Sequence, residues 1–238
     1  MKGTLYNTAT VLVGSVIGWR LGNSVPVQYQ QMALHGLGLL TAGMAIRMFL
    51  PAKQIVLMAA AIALGGVIGE LLGIQHAIGT FSEWARIHLG GESGKFNEGL
   101  ITTSVLFCVG PMTLIGCLED GIEGKSELLM LKGTMDGVGA FFFAAALGAG
   151  VVVTSAVVLV VQGSLTLLAR PMRRFAEDRE LLDESAAIGG LILMGTALGL
   201  LEIKSLPTAN YLPGLFILPL MILAKRKFER PRVDVQAP

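Results

Sequence analysis

Residues 128 to 169 form one apolar run of about forty residues. A helix needs only about 20 such residues to cross the hydrocarbon core of a bilayer. A run of this length must therefore hold two spans, and Gly148-Ala149-Gly150 is the natural turn between them. Further apolar runs at roughly 3–22, 32–50, 54–73, 98–118, 185–201 and 209–224 raise the number of spans to eight, with 127–147 and 150–169 from the split run. Composition agrees: hydrophobic residues make up 53% and charged residues 15%, whereas a soluble domain carries about 25% charge. Mean hydropathy is +0.68. Lipid cannot satisfy open backbone groups, and the alternating ten-residue strands of a barrel are missing, so the expectation is an all-α polytopic membrane protein with about eight transmembrane helices. A disordered chain is excluded by the hydrophobicity. The net charge of +1 gives no attraction to nucleic acid. Two cysteines, Cys108 and Cys117, are too few for a disulfide framework.

The basic residues set the expected topology. With the N-terminus in the cytoplasm, thirteen Lys and Arg fall in inner segments: Lys2, Arg47, Lys53, Lys125, Arg170, Arg173, Arg174, Arg179, Lys225, Arg226, Lys227, Arg230 and Arg232. Only Arg20, Arg86, Lys95 and Lys204 fall outside. Basic residues concentrate on cytoplasmic loops, so both termini are expected inside, as an even number of spans requires. The first span is too long for a signal-peptide core and lacks a small-residue cleavage site, so it is expected to stay in the mature chain. Residues 1–224 then form a single transmembrane domain. An outer amphipathic loop covers 75–97, where Ile78, Phe81, Trp84, Ile87 and His88 recur at helical spacing, as in a helix lying on the membrane surface. An inner, charge-dense amphipathic linker covers 170–184, and a basic cytoplasmic tail covers 225–238.

Glycine is abundant, at 31 residues, and patterned. Gly14/Gly18/Gly22, Gly65/Gly69/Gly73, Gly133/Gly137 and Gly195/Gly199 are each four apart, which puts small residues on one helix face. Close helix packing accounts for such faces, as do broken helices that line a cavity. Packing of this kind also suits a homo-oligomer, with a dimer expected. Gly38-Leu-Leu-Thr-Ala-Gly43-Met-Ala-Ile46 aligns with Gly190-Leu-Ile-Leu-Met-Gly195-Thr-Ala-Leu198. The two segments lie in spans of opposite direction, so they fit an inverted repeat; the general likeness of glycine-rich apolar helices explains them equally well.

Polar groups at membrane depth are costly and tend to mark pathways. Lys132 and Asp136 in span five are one helical turn apart and able to pair, either as a site for an ion, proton or charged substrate or as a structural ion pair. Gln162 lies at a similar depth in span six. In span four, Asn97 and Thr103 precede Gly110-Pro111, where the missing proline N–H predicts a kink or break that frees a carbonyl four residues back. Asn7 in span one, Glu70 at the outer end of span three and His35 are weaker candidates. Cys108 has no ligand set around it, so no metal site is expected. No G-x-S-x-G, HExxH or Walker lysine loop occurs, so neither an enzyme nor a resident cofactor is expected.

Several motifs carry a resemblance. They are Phe96-Asn-Glu-Gly99, Leu106-Phe-Cys-Val-Gly110-Pro-Met112, Leu131-Lys-Gly-Thr-Met-Asp136-Gly, Gln162-Gly163, Glu184-Ser-Ala-Ala-Ile-Gly-Gly190 and Asn210-Tyr-Leu-Pro213, with Gly3-Thr-Leu-Tyr-Asn7 and Gly14-Ser-Val-Ile-Gly18 at the start. Over essentially the whole chain the sequence resembles the YqgA/YdfK family of bacterial inner-membrane proteins of unknown function. The resemblance implies a multi-pass inner-membrane protein with a transport label, and it brings no substrate or catalytic residues with it. The expectation is a secondary transporter or channel-like carrier of an ion or small solute, with Asp136, Lys132, Gln162, Asn97, Thr103 and Gly110 as site residues. A non-transporting scaffold or subunit of a larger complex is the rival. A water-filled cavity reaching Asp136 would favour transport, and Asp136 sealed against Lys132 would favour structure.

Overall fold

The structure, a computed structural model, describes the chain except residues 23, 90–92, 109–110, 170, 172–177 and 230–238. Helices dominate the described residues: α1 (Lys2–Gly22), α2 (Val27–Phe49), α3 (Ile55–Leu71), α4 (Ile74–Leu89), α5 (Ser93–Cys108), α6 (Pro111–Ile122), α7 (Glu127–Leu147), α8 (Gly150–Leu167), α9 (Arg179–Leu200), a 3-10 turn (Thr208–Tyr211) and α10 (Gly214–Glu229). The forty-residue run divides where expected. Gly148 closes α7 at φ 81°, a left-handed conformation that only glycine adopts freely, and α8 starts two residues later.

Five segments are long and apolar enough to cross a membrane: Val27–Phe49, Glu127–Leu147, Gly150–Leu167, Arg179–Leu200 and Thr208–Phe228. Two bent pairs, α3 with the start of α4 at 54° and α5 with α6 at 58°, bring the number to seven when each is read as one broken span. Helix α1 has the length but is less apolar, because Thr4, Asn7 and Ser15 form part of its buried face. Counting α1 as a further crossing gives eight. Packing directions test this count. Gly3, Asn7, Gly14, Gly18 and Gly22 of α1 meet Leu129, Gly133, Gly137, Phe141 and Ala145 of α7 in ascending order, so the first and fifth crossings are parallel. Phe96, Gly99 and Thr103 of α5 ascend with Gly150, Val151 and Thr154 of α8, so the fourth and sixth are parallel as well. Gly38 meets Leu200 and Leu201 while Gly190 meets Ala45, Met48 and Phe49, so the second and seventh are antiparallel. Ala61 with Gly214 and Gly69 with Asn210 make the third and eighth antiparallel too. Eight alternating crossings, with each bent pair counted once, satisfy every one of these directions.

The spaced glycines mostly serve close approach. A Cβ at Gly14, Gly18 or Gly22 would run into the α7 backbone at Gly137, Phe141 and Ala145. A Cβ at Gly65 would lie 2.5 Å from the Gly214 nitrogen, and one at Gly69 would overlap the Asn210 carbonyl. Gly73 differs: it has open space around it and φ 63°, and it forms the bend between α3 and α4.

Helix α9 is the central post, with 78% of its most apolar stretch buried; α2 is at the rim, with 17%. Large apolar side chains such as Leu39, Val56, Leu71, Phe216 and Phe228 are well exposed, an arrangement that suits lipid and not water. The segment 75–97 holds most of α4, with Phe81, Trp84 and Ile87 exposed and the Phe81 and Trp84 rings stacked 6.0 Å apart; its last residues already belong to α5. The linker 170–184 lies partly outside the described residues. Residues 172–177 are outside the described set, and residues 179–184 are the first turns of α9, with Asp178 as the N-cap accepting the Leu181 N–H at 3.1 Å. Of the tail 225–238, residues 225–229 continue α10, and the rest is outside the described residues.

Candidate functional site

Lys132 and Asp136 stand one turn apart on α7, and both are less than a tenth exposed. The Lys132 Nζ donates to Asp136 Oδ2 and to the carbonyl oxygen of Phe107. That carbonyl is free for a reason visible in the sequence: Pro111, four residues on, has no N–H to offer it. The Thr113 hydroxyl donates to the same oxygen at 3.1 Å. The break between α5 and α6 thus supplies a backbone acceptor to a buried ammonium group. The nitrogen also lies 5.7 Å from the Phe107 ring centroid, within cation–π range.

On its other side Asp136 is held by α1. The Asn7 Nδ2 donates to Asp136 Oδ2 at 3.0 Å and to Gln162 Oε1 of α8 at 3.1 Å. Glycine makes this reach possible, since a Cβ at Gly133 would lie 2.8 Å from the Asn7 Cα. The chain Phe107–Lys132–Asp136–Asn7–Gln162 therefore joins four helices. Two of its atoms are left over, because Asn7 Oδ1 and Gln162 Nε2 are fully buried and without a partner. An unpaired buried polar atom costs about 1–3 kcal/mol. One turn towards the α1 N-terminus, the hydroxyls of Thr4 and Thr166 pair at 3.1 Å; beyond them Asp120 Oδ2 takes the Met1 amino group at 2.9 Å and the Gly3 N–H at 3.1 Å. Towards the opposite end the polar file stops. Val11, Phe107, Ala140, Phe143 and Val158 pack into an apolar cluster, each no more than 2% exposed.

The remaining sequence candidates lie elsewhere. Thr103 donates to the Gly99 carbonyl at 2.7 Å, and its hydroxyl is 2.6 Å from that of Thr154; it joins α5 to α8 and makes no bond to the network. Asn97 lines a cavity of about 450 Å³ between the ends of α5 and α9 and the 3-10 turn. Gly110 lies outside the described residues. Neither this cavity nor an outward-facing apolar groove of about 570 Å³ between α1 and α7 is lined by Lys132 or Asp136.

Two further polar centres hold the helix ends. Glu184, 1% exposed, accepts the N–H groups of Lys53 and Gln54 at 2.6 and 2.9 Å through Oε1, at the entry to α3. Beside it Arg226 bridges Asp178 and Glu180. The Arg226 guanidinium holds the Asp178 carboxyl below the usual carboxylate range. At the other end Asn210 Oδ1 accepts the Gln75 N–H at 2.8 Å, while its Nδ2 donates to Glu70 Oε2 at 2.6 Å. Glu184 escapes sequence reasoning because it sits in a charged stretch that reads as a solvated linker. Glu70 reads as interfacial, and its partner is 140 residues away.

These features define a polytopic α-helical membrane protein with a charged pair buried among its helices. Residues 2–223 match the family described as "Protein of unknown function (DUF554)", and the chain belongs to it. It is 28% identical over 233 residues to the Bacillus subtilis (strain 168) "Uncharacterized membrane protein YdfK", covering 96% of this chain and 98% of that one. It is also 29% identical over 221 residues to the Escherichia coli (strain K12) "Uncharacterized protein YqgA", covering 90% and 93%. No solved structure matches the chain.

Proposed function

We propose that the protein is a secondary transporter or channel-like carrier of an ion or small solute in a bacterial inner membrane, with both termini cytoplasmic and no enzymatic role. The observation that carries this reading is the Lys132–Asp136 pair, with Lys132 about 8 Å and Asp136 about 14 Å into α7 by helix rise. It is flanked by a carbonyl freed at a helix break and by two buried amide atoms with nothing to bond. Broken helices and backbone carbonyls freed from the helix ladder around an ionisable pair are the usual parts of a solute or ion site at membrane depth. In this conformation the pair is occluded, with the Val11–Phe143–Val158 cluster as the closed side.

The halves needed for rocking have support in the packing. Gly38 and Gly190 hold equivalent places in an antiparallel α2–α9 crossing, and α3 crosses α10 antiparallel beside them. We read these as an inverted repeat. The apolar groove between α1 and α7, lined by Tyr6, Val13, Val138 and Phe142, is where we place a second copy in a dimer.

Reconstituted vesicles test the reading: Asp136→Asn and Lys132→Met should each abolish uptake while the protein remains monodisperse and cooperatively folded. Unchanged uptake in both variants refutes it. One observation favours a non-transporting scaffold, namely that Asp136 is sealed against Lys132 and lines neither cavity. Vesicles that show no uptake of any offered ion, amino acid or organic acid, with the pair replaceable by apolar residues, would leave that reading standing.

A further inference from the structure

The 450 Å³ cavity at the end of the bundle opposite the basic clusters belongs to none of the functions above. It is lined from four elements: the start of α4, the start of α5, the end of α9 and the 3-10 turn. Glu98, half-buried, and Glu202, exposed, both face it and are near enough to repel. Neither carboxylate has a hydrogen bond or ion pair with a described residue. Lys95 and Lys204 lie at the same end of the molecule, and neither lines the cavity. Two unpaired carboxylates in one recess are unfavourable without a cation between them.

The polar lining points the same way. Thr102 is 3% exposed and lines the cavity, and its hydroxyl makes no hydrogen bond to a described residue. The Asn97 Oδ1 is buried and unpartnered. An amide oxygen and a hydroxyl oxygen are acceptors, suited to N–H donors brought in by a ligand. The volume falls in the range of small-molecule sites and far exceeds that of a bare ion.

We propose that this cavity binds a small organic cation carrying an ammonium group, its charge against Glu98 and Glu202 and its N–H donors towards Asn97 and Thr102. The proposal stands apart from the Asp136 reading, because binding here needs neither transport nor the buried pair. Thermal-shift and calorimetric titration of the full chain in detergent test it, with 1,4-diaminobutane and ethanolamine as probes and 1-propanol and potassium chloride at matched ionic strength as controls. The amines should give a saturable rise in Tm that the controls do not. Glu202→Gln, at an exposed position, should weaken amine binding by about tenfold or more, and Glu98→Gln should do likewise. Asp136→Asn should leave amine binding unchanged, so loss of uptake and loss of binding separate. A Tm response equal for potassium and the amines, no saturable response at all, or undiminished binding in Glu202→Gln overturns the proposal.

Discussion

The buried pair inside α7 and the carboxylate at the entry to α3 handle charge in different ways. Glu184 meets, through Oε1, the backbone N–H groups of Lys53 and of the N-cap Gln54 just ahead of α3, donors that no helix satisfies internally. This oxygen removes an existing deficit, while Oε2 stays buried without a partner. Lys132 fills one backbone deficit, the Phe107 carbonyl that Pro111 leaves free, and Asp136 fills none. They bring two charges into a region where desolvation is severe, and they are compensated by each other, by Phe107 and by Asn7. Helix ends can use polar groups for stability alone. A charged pair inside a span is expensive as a structural device, which is why it reads as functional.

The sharpest way to break this contrast is to remove one partner at each place. Lys132→Met leaves Asp136 as an uncompensated buried charge and should cost about 3–5 kcal/mol. The double variant Lys132→Met/Asp136→Leu should recover most of that loss, since an apolar pair of similar volume is often neutral or better. Chemical or thermal unfolding in detergent measures both. A double variant as unstable as the single one would show that the pair is needed for folding. Glu184→Ala should cost less, about 2–3 kcal/mol, by orphaning two N–H groups. In that case no second substitution on a neighbouring side chain should rescue it, because the partner is backbone.

Glycines sharpen the comparison at the next level down. Gly18→Ala would drive a Cβ into the Phe141 carbonyl where α1 and α7 run side by side, and should cost about 1–3 kcal/mol while loosening the helix that carries Asn7. Gly43→Ala on the rim helix α2 meets nothing within 4 Å and should stabilise by up to about 1 kcal/mol through helix propensity. Equal effects at the two positions would mean that the α1–α7 contact is not close.

Much of this was readable from the chain. Apolar runs located the spans, Gly148 their split, and the alternation of directions follows from counting. Pro111 foretold a freed carbonyl, and the structure puts the Lys132 nitrogen on it. What stayed hidden was partnership across distance. Asn7 is 129 residues from Asp136, and it reaches that carboxylate only because Gly133 lets α1 approach, a register that no local pattern encodes. Glu184 looked like linker charge because a carboxylate that caps another helix carries no sequence mark of its target. Asn97 grouped with Thr103 by span, yet the two face different surroundings: a cavity lined by α9 in one case, the Thr154 hydroxyl in the other.

The smallest effect tests the charged helix end in isolation from the cap. Asp178 does two things: its carboxylate caps α9 by accepting the Leu181 N–H, and it pairs with Arg226. Asparagine caps a helix as well as aspartate, so Asp178→Asn removes the ion pair and keeps the cap. The folded carboxyl titrates below its unfolded value of about 3.9 because Arg226 favours the anion. The stability it adds is therefore fully present above that value and is lost as pH falls through the lower folded pKa. Arg226 is over a third exposed, so solvent screening should keep the contribution below about 1 kcal/mol. Melting curves from pH 7 down to pH 3 should coincide in shape for wild type and Asp178→Asn at neutral pH, offset slightly, and converge at the acid end. An offset that persists unchanged at pH 3 would assign Asp178 a role in which its charge has no part.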